Sequence, residues 1–185
     1  MNSTDIVLRF IRAFDNLGVP YMLVGSYSSN IYGRPRSTQD ADFVLELTTG
    51  DPIPELAKAL SPDIRIDPQM SFETVTGTMR YIASHPASAF KVEMFLLTTD
   101  PHDATRFKRR QLVDFEGNKV WFPTPEDVVV TKLRWSKGGN RAKDVTDVAQ
   151  VLAVRSNELD LSYIRHWCDR HGTRELFERL LQAVP

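Results

Sequence analysis

The sequence predicts an α/β unit followed by a helical tail, and three observations predict it. Apolar positions at helical spacing open the chain. Short apolar runs bounded by glycine and turn residues then recur as far as residue 122, and beyond Thr124 only helical periodicity remains. The 185 residues suit one domain, or one with a small helical extension. The change of character places an α/β core over residues 1–123 and a helical region packed on it over residues 124–185.

Taken in order, Ile6, Val7, Phe10, Ile11 and Phe14 predict an amphipathic helix over residues 4–17, with Ser3 or Thr4 as its cap and Gly18 at its end. VPYMLVG, residues 19–25, is too brief for a buried helix and reads as a strand. Ser26 is placed to cap a helix over residues 27–32. A strand over 40–47 follows, then a helix near 54–60 with Pro54 where helices tolerate proline. Strand-like runs recur at 77–83, 90–97, 110–115 and 119–122, the last two joined by Gly117-Asn118 in a hairpin. In the tail, TPEDVVVTKLRW carries Glu126 and Asp127 in its first turn and basic residues toward its end, which suits the helix dipole. A break at 138–140 separates it from RAKDVTDVAQVLAV, and LSYIRHWCDRHG and TRELFERLLQAV complete the helices.

Composition excludes several classes. A formal net charge of −1 argues against binding nucleic acid through a broadly basic surface, although a local patch remains open. Cys168 is the only cysteine, so no intrachain disulfide forms. The apolar runs fall far short of the ~20 residues that span a bilayer, and MNSTDIVLRF lacks the apolar segment of a signal peptide. The expectation is a soluble cytoplasmic protein with no membrane partner. His85, His102, His166 and His171 show no metal-ligand spacing with each other or with Cys168 and read as structural.

The chemistry concentrates in GSYSSNIYGRPRSTQDADFVLEL, residues 25–47. On a strand, Asp40, Asp42, Val44 and Glu46 share one face and Ala41, Phe43, Leu45 and Leu47 the other. Asp40 and Asp42, about 6 to 7 Å apart at Cα by strand rise, can converge on a divalent cation. Magnesium takes one or two carboxylates and leaves its other positions to phosphate and water. A half-buried strand with an acidic solvent face is the plainer alternative. Gly25 lets a backbone approach a phosphate, and the start of the following helix favours an anion. The same Gly-Ser pair also makes an ordinary strand-to-helix turn.

The motifs YMLVGS, RSTQDADFVLEL, KVEMFLL, TPEDVVVTKL and RAKDVTDVAQVL, in that order over about residues 19–152, resemble the DNA polymerase β-like nucleotidyltransferases, and most of all the AbiEii-type, toxin-associated branch. The resemblance implies a nucleotidyltransferase-type mixed sheet with flanking helices. It also implies a metal-dependent transfer of NMP from an NTP, with release of pyrophosphate, using Mg2+ or Mn2+. By position, Gly25 and Ser26 match the phosphate-binding turn and Asp40 and Asp42 the paired metal ligands. Glu93 matches the third carboxylate, where aspartate is commoner. Its alternative reading is a surface Lys-x-Glu pair on an edge strand. Lys132 matches a lysine near the nucleotide phosphates, against a solvated dipole partner. Asp144 is implied to orient the site, against simple capping. Arg34 and Arg36, between the two motifs, can reach triphosphate or acceptor, or be solvated.

The acceptor hydroxyl is left open among tRNA, protein and a small hydroxylated molecule, and a cognate antitoxin protein is a possible partner. The rival from another class is a catalytically quiet binding or regulatory protein of the same fold. Ser26, Asp40 and Asp42 favour catalysis; Glu93 is the departure that keeps the rival open.

Overall fold

The computed structural model describes residues 2–47, 50–136 and 138–183, and Val184, the last residue of the terminal predicted helix, lies outside them. The elements run α1 (Ser3–Leu17), β1 (Tyr21–Val24), α2 (Gly25–Tyr32), β2 (Asp40–Leu45), α3 (Ile53–Leu60), β3 (Arg65–Ile66), β4 (Ser71–Glu73), β5 (Thr78–Ser84), β6 (Lys91–Leu96), α4 (Pro101–Arg109), β7 (Gln111–Phe115), β8 (Asn118–Phe122), α5 (Pro125–Trp135), α6 (Ala142–Arg155), α7 (Leu161–His171) and α8 (Arg174–Gln182).

Several boundaries differ from the sequence expectation for local physical reasons. The cap of α1 is Asn2, because only Asn2 has an acid three residues on: its side chain accepts from the Asp5 N–H while the Asp5 carboxylate accepts from the Asn2 N–H. Ser26 lies inside the first turn of α2 and caps nothing. The β7–β8 turn is Glu116-Gly117, one residue earlier than expected, with φ of 51° and 73°. Two consecutive left-handed residues are what a two-residue hairpin turn requires. α4 lacks an apolar stripe: its buried side chains are His102, Asp103, Arg106 and Phe107. What starts it is Asp100, which accepts from the N–H groups of His102 and Asp103 with Pro101 just behind it.

The main sheet has the order β1-β2-β6-β5-β3, with β4 also paired to β5; β2 and β6 run parallel and the other pairs antiparallel. β7 and β8 form a separate hairpin. One face of β2, comprising Ala41, Phe43 and Leu45, is fully buried beneath α1 and α3. There Phe10, Phe14, Tyr21 and Phe43 pack ring on ring, with centroids 5.1 to 6.2 Å apart. A second apolar cluster joins Tyr32 of α2 to α5, α6, α7 and α8. The Tyr32 hydroxyl donates to the Pro123 carbonyl at 2.8 Å, tying α2 to the chain entering α5. On the other face Val44 joins a smaller apolar cluster with Met22, Val24, Phe95 and Phe107, and the start of the strand is left to Asp40 and Asp42.

Candidate active site

β1 ends where α2 begins, and Gly25 at that junction has φ +64°. A Cβ here would collide with the Asp42 carboxylate, so both the left-handed backbone and the close approach of Asp42 require glycine. β1–β2 pairing sets Val24 opposite Asp42, and parallel pairing sets Asp42 beside Glu93 and Asp40 beside Lys91. The three carboxylates thus share one end of the sheet, and they line a single open cleft of about 610 Å³ together with Gly25, Ser26 and Lys132.

The carboxylates differ in what holds them. Asp40 accepts from the Thr38 hydroxyl at 2.7 Å. Glu93 is ion-paired to Arg80. Asp42 has neither a hydrogen bond nor an ion pair among the described residues. Burial, then the charges of Asp40 and Glu93, push its carboxyl up to about 7, with Lys132 and Lys143 opposing. Burial likewise raises Glu93, despite Arg80. Among the described residues no three His, Cys, Asp or Glu side chains are close enough to hold one ion, since Glu93 turns to Arg80. β6 lies between β2 and β5, so Glu93 is on a central strand rather than an edge.

The donor set fits a hard divalent cation. Asp40 and Asp42 are hard-oxygen ligands on one strand face, and Asp42 is a carboxylate with no counter-charge in contact. A dication beside it would relieve the repulsion that raises its proton affinity. Asp40 and Asp42 would hold the ion, and Glu93 would complete the set after leaving Arg80.

The opposite wall is cationic. Lys132 is 5% exposed, and its ammonium lies 3.1 Å from Asp144 and 2.8 Å from Asp147. This placement is incompatible with a solvated helix-end lysine. Arg36 grips Asp147 with two hydrogen bonds of 2.9 and 3.0 Å and donates at 3.0 Å to the Ser26 hydroxyl. Arg141 lies 3.2 Å from Asp144. Against burial, Arg36 and Lys132 hold the Asp147 carboxyl below the usual carboxylate range. The Asp144 carboxylate pairs across to Lys132 instead of capping its own helix. The network ties the 33–39 loop, α5 and α6 to the Ser26 turn. Since Arg36 satisfies Ser26 as an acceptor, the Ser26 proton remains available to donate to an anion.

Sequence reasoning attached no role to Asp147 and did not find Arg80. Asp147 carried a signal, three residues beyond Asp144 and so on the same face of α6. Arg80 carried none, because its relation to Glu93 exists only once β5 pairs with β6.

Residues 10–184 match the family described as Nucleotidyl transferase AbiEii toxin, Type IV TA system. The chain belongs to the AbiEii nucleotidyltransferase family. It is accordingly a nucleotidyltransferase, an enzyme class that moves an NMP unit from an NTP. No curated protein sequence matches it. Solved structures share the fold at low identity. The antibiotic-resistance factor ANT(2'')-Ia is 10% identical, with 97% of each chain covered and a TM-score of 0.63. The same factor in complex with adenylyl-2''-tobramycin is 11% identical, covering 92% of this chain and 97% of that one, with a TM-score of 0.64. An antigenic nucleotidyltransferase-like protein from Paracoccidioides brasiliensis is 16% identical, covering 96% and 92%, with a TM-score of 0.56. No helix among the described residues is long and apolar enough to cross a membrane.

Proposed function

We propose that this nucleotidyltransferase is metal-dependent and transfers NMP to a hydroxyl of a tRNA, protein or small-molecule acceptor, acting in the cytoplasm as the toxin of a toxin-antitoxin pair. The observation that carries the metal dependence is Asp42: a carboxylate packed against the Gly25 turn, facing the cleft, with no partner and with its proton affinity raised by its acidic neighbours. The family description supports the toxin role. The adenylyl-tobramycin complex of ANT(2'')-Ia keeps a small hydroxylated acceptor in view.

In this reading residues 1–123 are the catalytic unit, and residues 124–185 supply the cationic wall. The acceptor oxygen attacks the α-phosphorus of the NTP, the bond to the bridging oxygen breaks, and pyrophosphate leaves. Asp40, Asp42 and Glu93 provide the ligands for Mg2+ or Mn2+, which when bound neutralises the triphosphate and lowers the cost of deprotonating the acceptor. The Ser26 hydroxyl and the N–H groups at the start of α2 hold phosphate oxygens. Arg36 fixes Ser26 from behind. Lys132, held between Asp144 and Asp147, contributes a placed positive charge whose position does not depend on the ligand.

The test is incubation with each α-labelled NTP and Mg2+ in three arms: total tRNA, cell protein and an aminoglycoside. Label in one arm, lost on chelating the metal and in Asp42→Asn, is the expected result. Label in none of the arms overturns the reading.

A further inference from the structure

Resting on that reading, we infer that Arg80 is a positioning residue that exchanges partners when substrate binds, releasing Glu93 to the metal and taking a phosphate of the nucleotide in its place. Arg80 stands on β5 opposite Phe95 of β6, and its guanidinium reaches back along β6 to Glu93, the residue in register with Asp42. Both side chains line the cleft, 24% and 18% exposed, so neither is sealed in place. The guanidinium lies 5.7 Å from the Phe95 ring centroid, and its Nε is a buried donor without a hydrogen-bond partner. Once the guanidinium turns from Glu93 toward the cleft it lines, that unused donor can join the other N–H groups in meeting an anion.

The exchange preserves charge balance. With the cleft empty, Arg80 offsets one of three clustered carboxylates. With a dication against Asp40 and Asp42, Glu93 acquires a stronger counter-charge, and Arg80, left with the Glu73 charge nearby, becomes available to an arriving triphosphate. Each ion then has its best partner, and metal and nucleotide assist each other's binding. The Glu73 carboxylate, which accepts from the N–H groups of Val75 and Thr76, lines the same cleft and interacts electrostatically with Arg80.

The test uses Mn2+ alone and inorganic triphosphate with Mn2+, titrated calorimetrically into the full chain, with thermal melting as the check on folding. Removing Arg80 frees Glu93, so R80A should bind Mn2+ alone more tightly by about ten- to a hundredfold, the scale of a hydrogen bond to a charged group, and bind Mn2+-triphosphate more weakly by a similar factor. R80K should return both values toward wild type. Loss of a nearby positive charge would by itself also strengthen Mn2+ binding and weaken Mn2+-triphosphate binding. The deciding measurement is therefore the R80A/E93Q double variant. If Arg80 acts through Glu93, the gain in Mn2+ affinity disappears in the E93Q background; if it persists there undiminished, the inference is overturned. R80M with R80M/E93Q carries the same cycle should R80A melt early. Unchanged affinities in R80A, in a protein whose wild type binds Mn2+-triphosphate, also overturn the inference and leave the nucleotidyl-transfer reading intact. A wild type that binds no Mn2+-triphosphate overturns both.

Discussion

Asp42 and Asp127 are both enclosed aspartates in polar surroundings, and they are treated in opposite ways. Asp127, fully buried at the start of α5, is saturated: Thr124 donates to it at 2.8 Å, Tyr163 at 2.6 Å and Arg109 at 3.2 Å, and the His102 Nε2 lies 3.2 Å away. Arg109 stacks 4.0 Å above the Tyr163 ring, and Trp167 and His171 close the cluster over His102. Burial opposes ionisation of Asp127, but the bonds from His102, Tyr163 and Thr124 outweigh it and hold the carboxyl below its usual range. Asp42, by contrast, has burial and two like charges against it and no donor in contact. A satisfied buried carboxylate joins α4, α5 and α7. An unsatisfied one at an open cleft keeps its oxygens available to a proton, water or a cation, and such a perturbed carboxyl marks a candidate site.

Replacing Asp42 by its amide and truncating Asp127 to alanine separates the two cases most strongly. Asp42→Asn keeps the shape but removes the charge of the proposed metal ligand, and we expect turnover to fall by about a thousandfold, ~4 kcal/mol of barrier. Its metal-free melting temperature at pH 8 should rise, because a repelled charge has gone. A fall in that melting temperature together with full turnover would place Asp42 with Asp127 as architecture. Asp127→Ala should do the reverse, leaving buried His102 and Thr124 and the part-buried Tyr163 without their shared acceptor. About 3 kcal/mol of stability is the expected loss, a drop of roughly 10 °C in melting temperature for a chain this size. Thermal unfolding measures it.

The pH dependence sharpens the same contrast. A carboxyl raised from 3.8 to about 7 contributes stability below its unfolded value, and that stability is lost as pH rises through about 7. A lowered carboxyl contributes above its unfolded value and loses it as pH falls through the folded one. In metal-free protein, stability should therefore decline by about 1.4 kcal/mol between pH 6 and 8 through Asp42, while the Asp127 share changes only in acid. Melting series in chelator follow both. The neutral decline should be absent in Asp42→Asn, and its survival there would assign it to another group.

How much of this the chain reveals before folding depends on sequence distance. Gly25, Ser26, Asp40 and Asp42 lie within a single strand-helix-strand stretch, so alternation and turn chemistry single them out, and the resemblance of their motifs assigns them to one site. The RAKD helix is readable from its stripe, but the sequence leaves Lys132 open between a lysine near the nucleotide phosphates and a solvated helix-end cation; only the packing of α5 on α6 encloses it between Asp144 and Asp147. Arg80 and the Asp127 cluster were invisible because each joins elements distant in sequence. α4 escaped notice because its buried side chains are mostly charged or polar, and those are the residues that a hydrophobic-period reading discounts. β3 and β4, two and three residues long, are too short to show any alternation.

Ser26 gives the finest cut between holding a ligand and holding the fold. Its hydroxyl accepts from Arg36 at 3.0 Å, yet Arg36 keeps both of its bonds to Asp147 without it. Ser26→Ala should therefore change the melting temperature little. The α2 start keeps its free N–H groups, so phosphate binding should persist in weakened form. Losing one neutral donor costs about 1 kcal/mol, which is roughly a fivefold rise in the Kd for Mg2+-nucleotide. Calorimetry against the NTP that supports transfer reads the change directly. An unchanged Kd in a folded Ser26→Ala protein would leave the hydroxyl as the terminus of the Arg36 network and assign phosphate binding to the backbone alone.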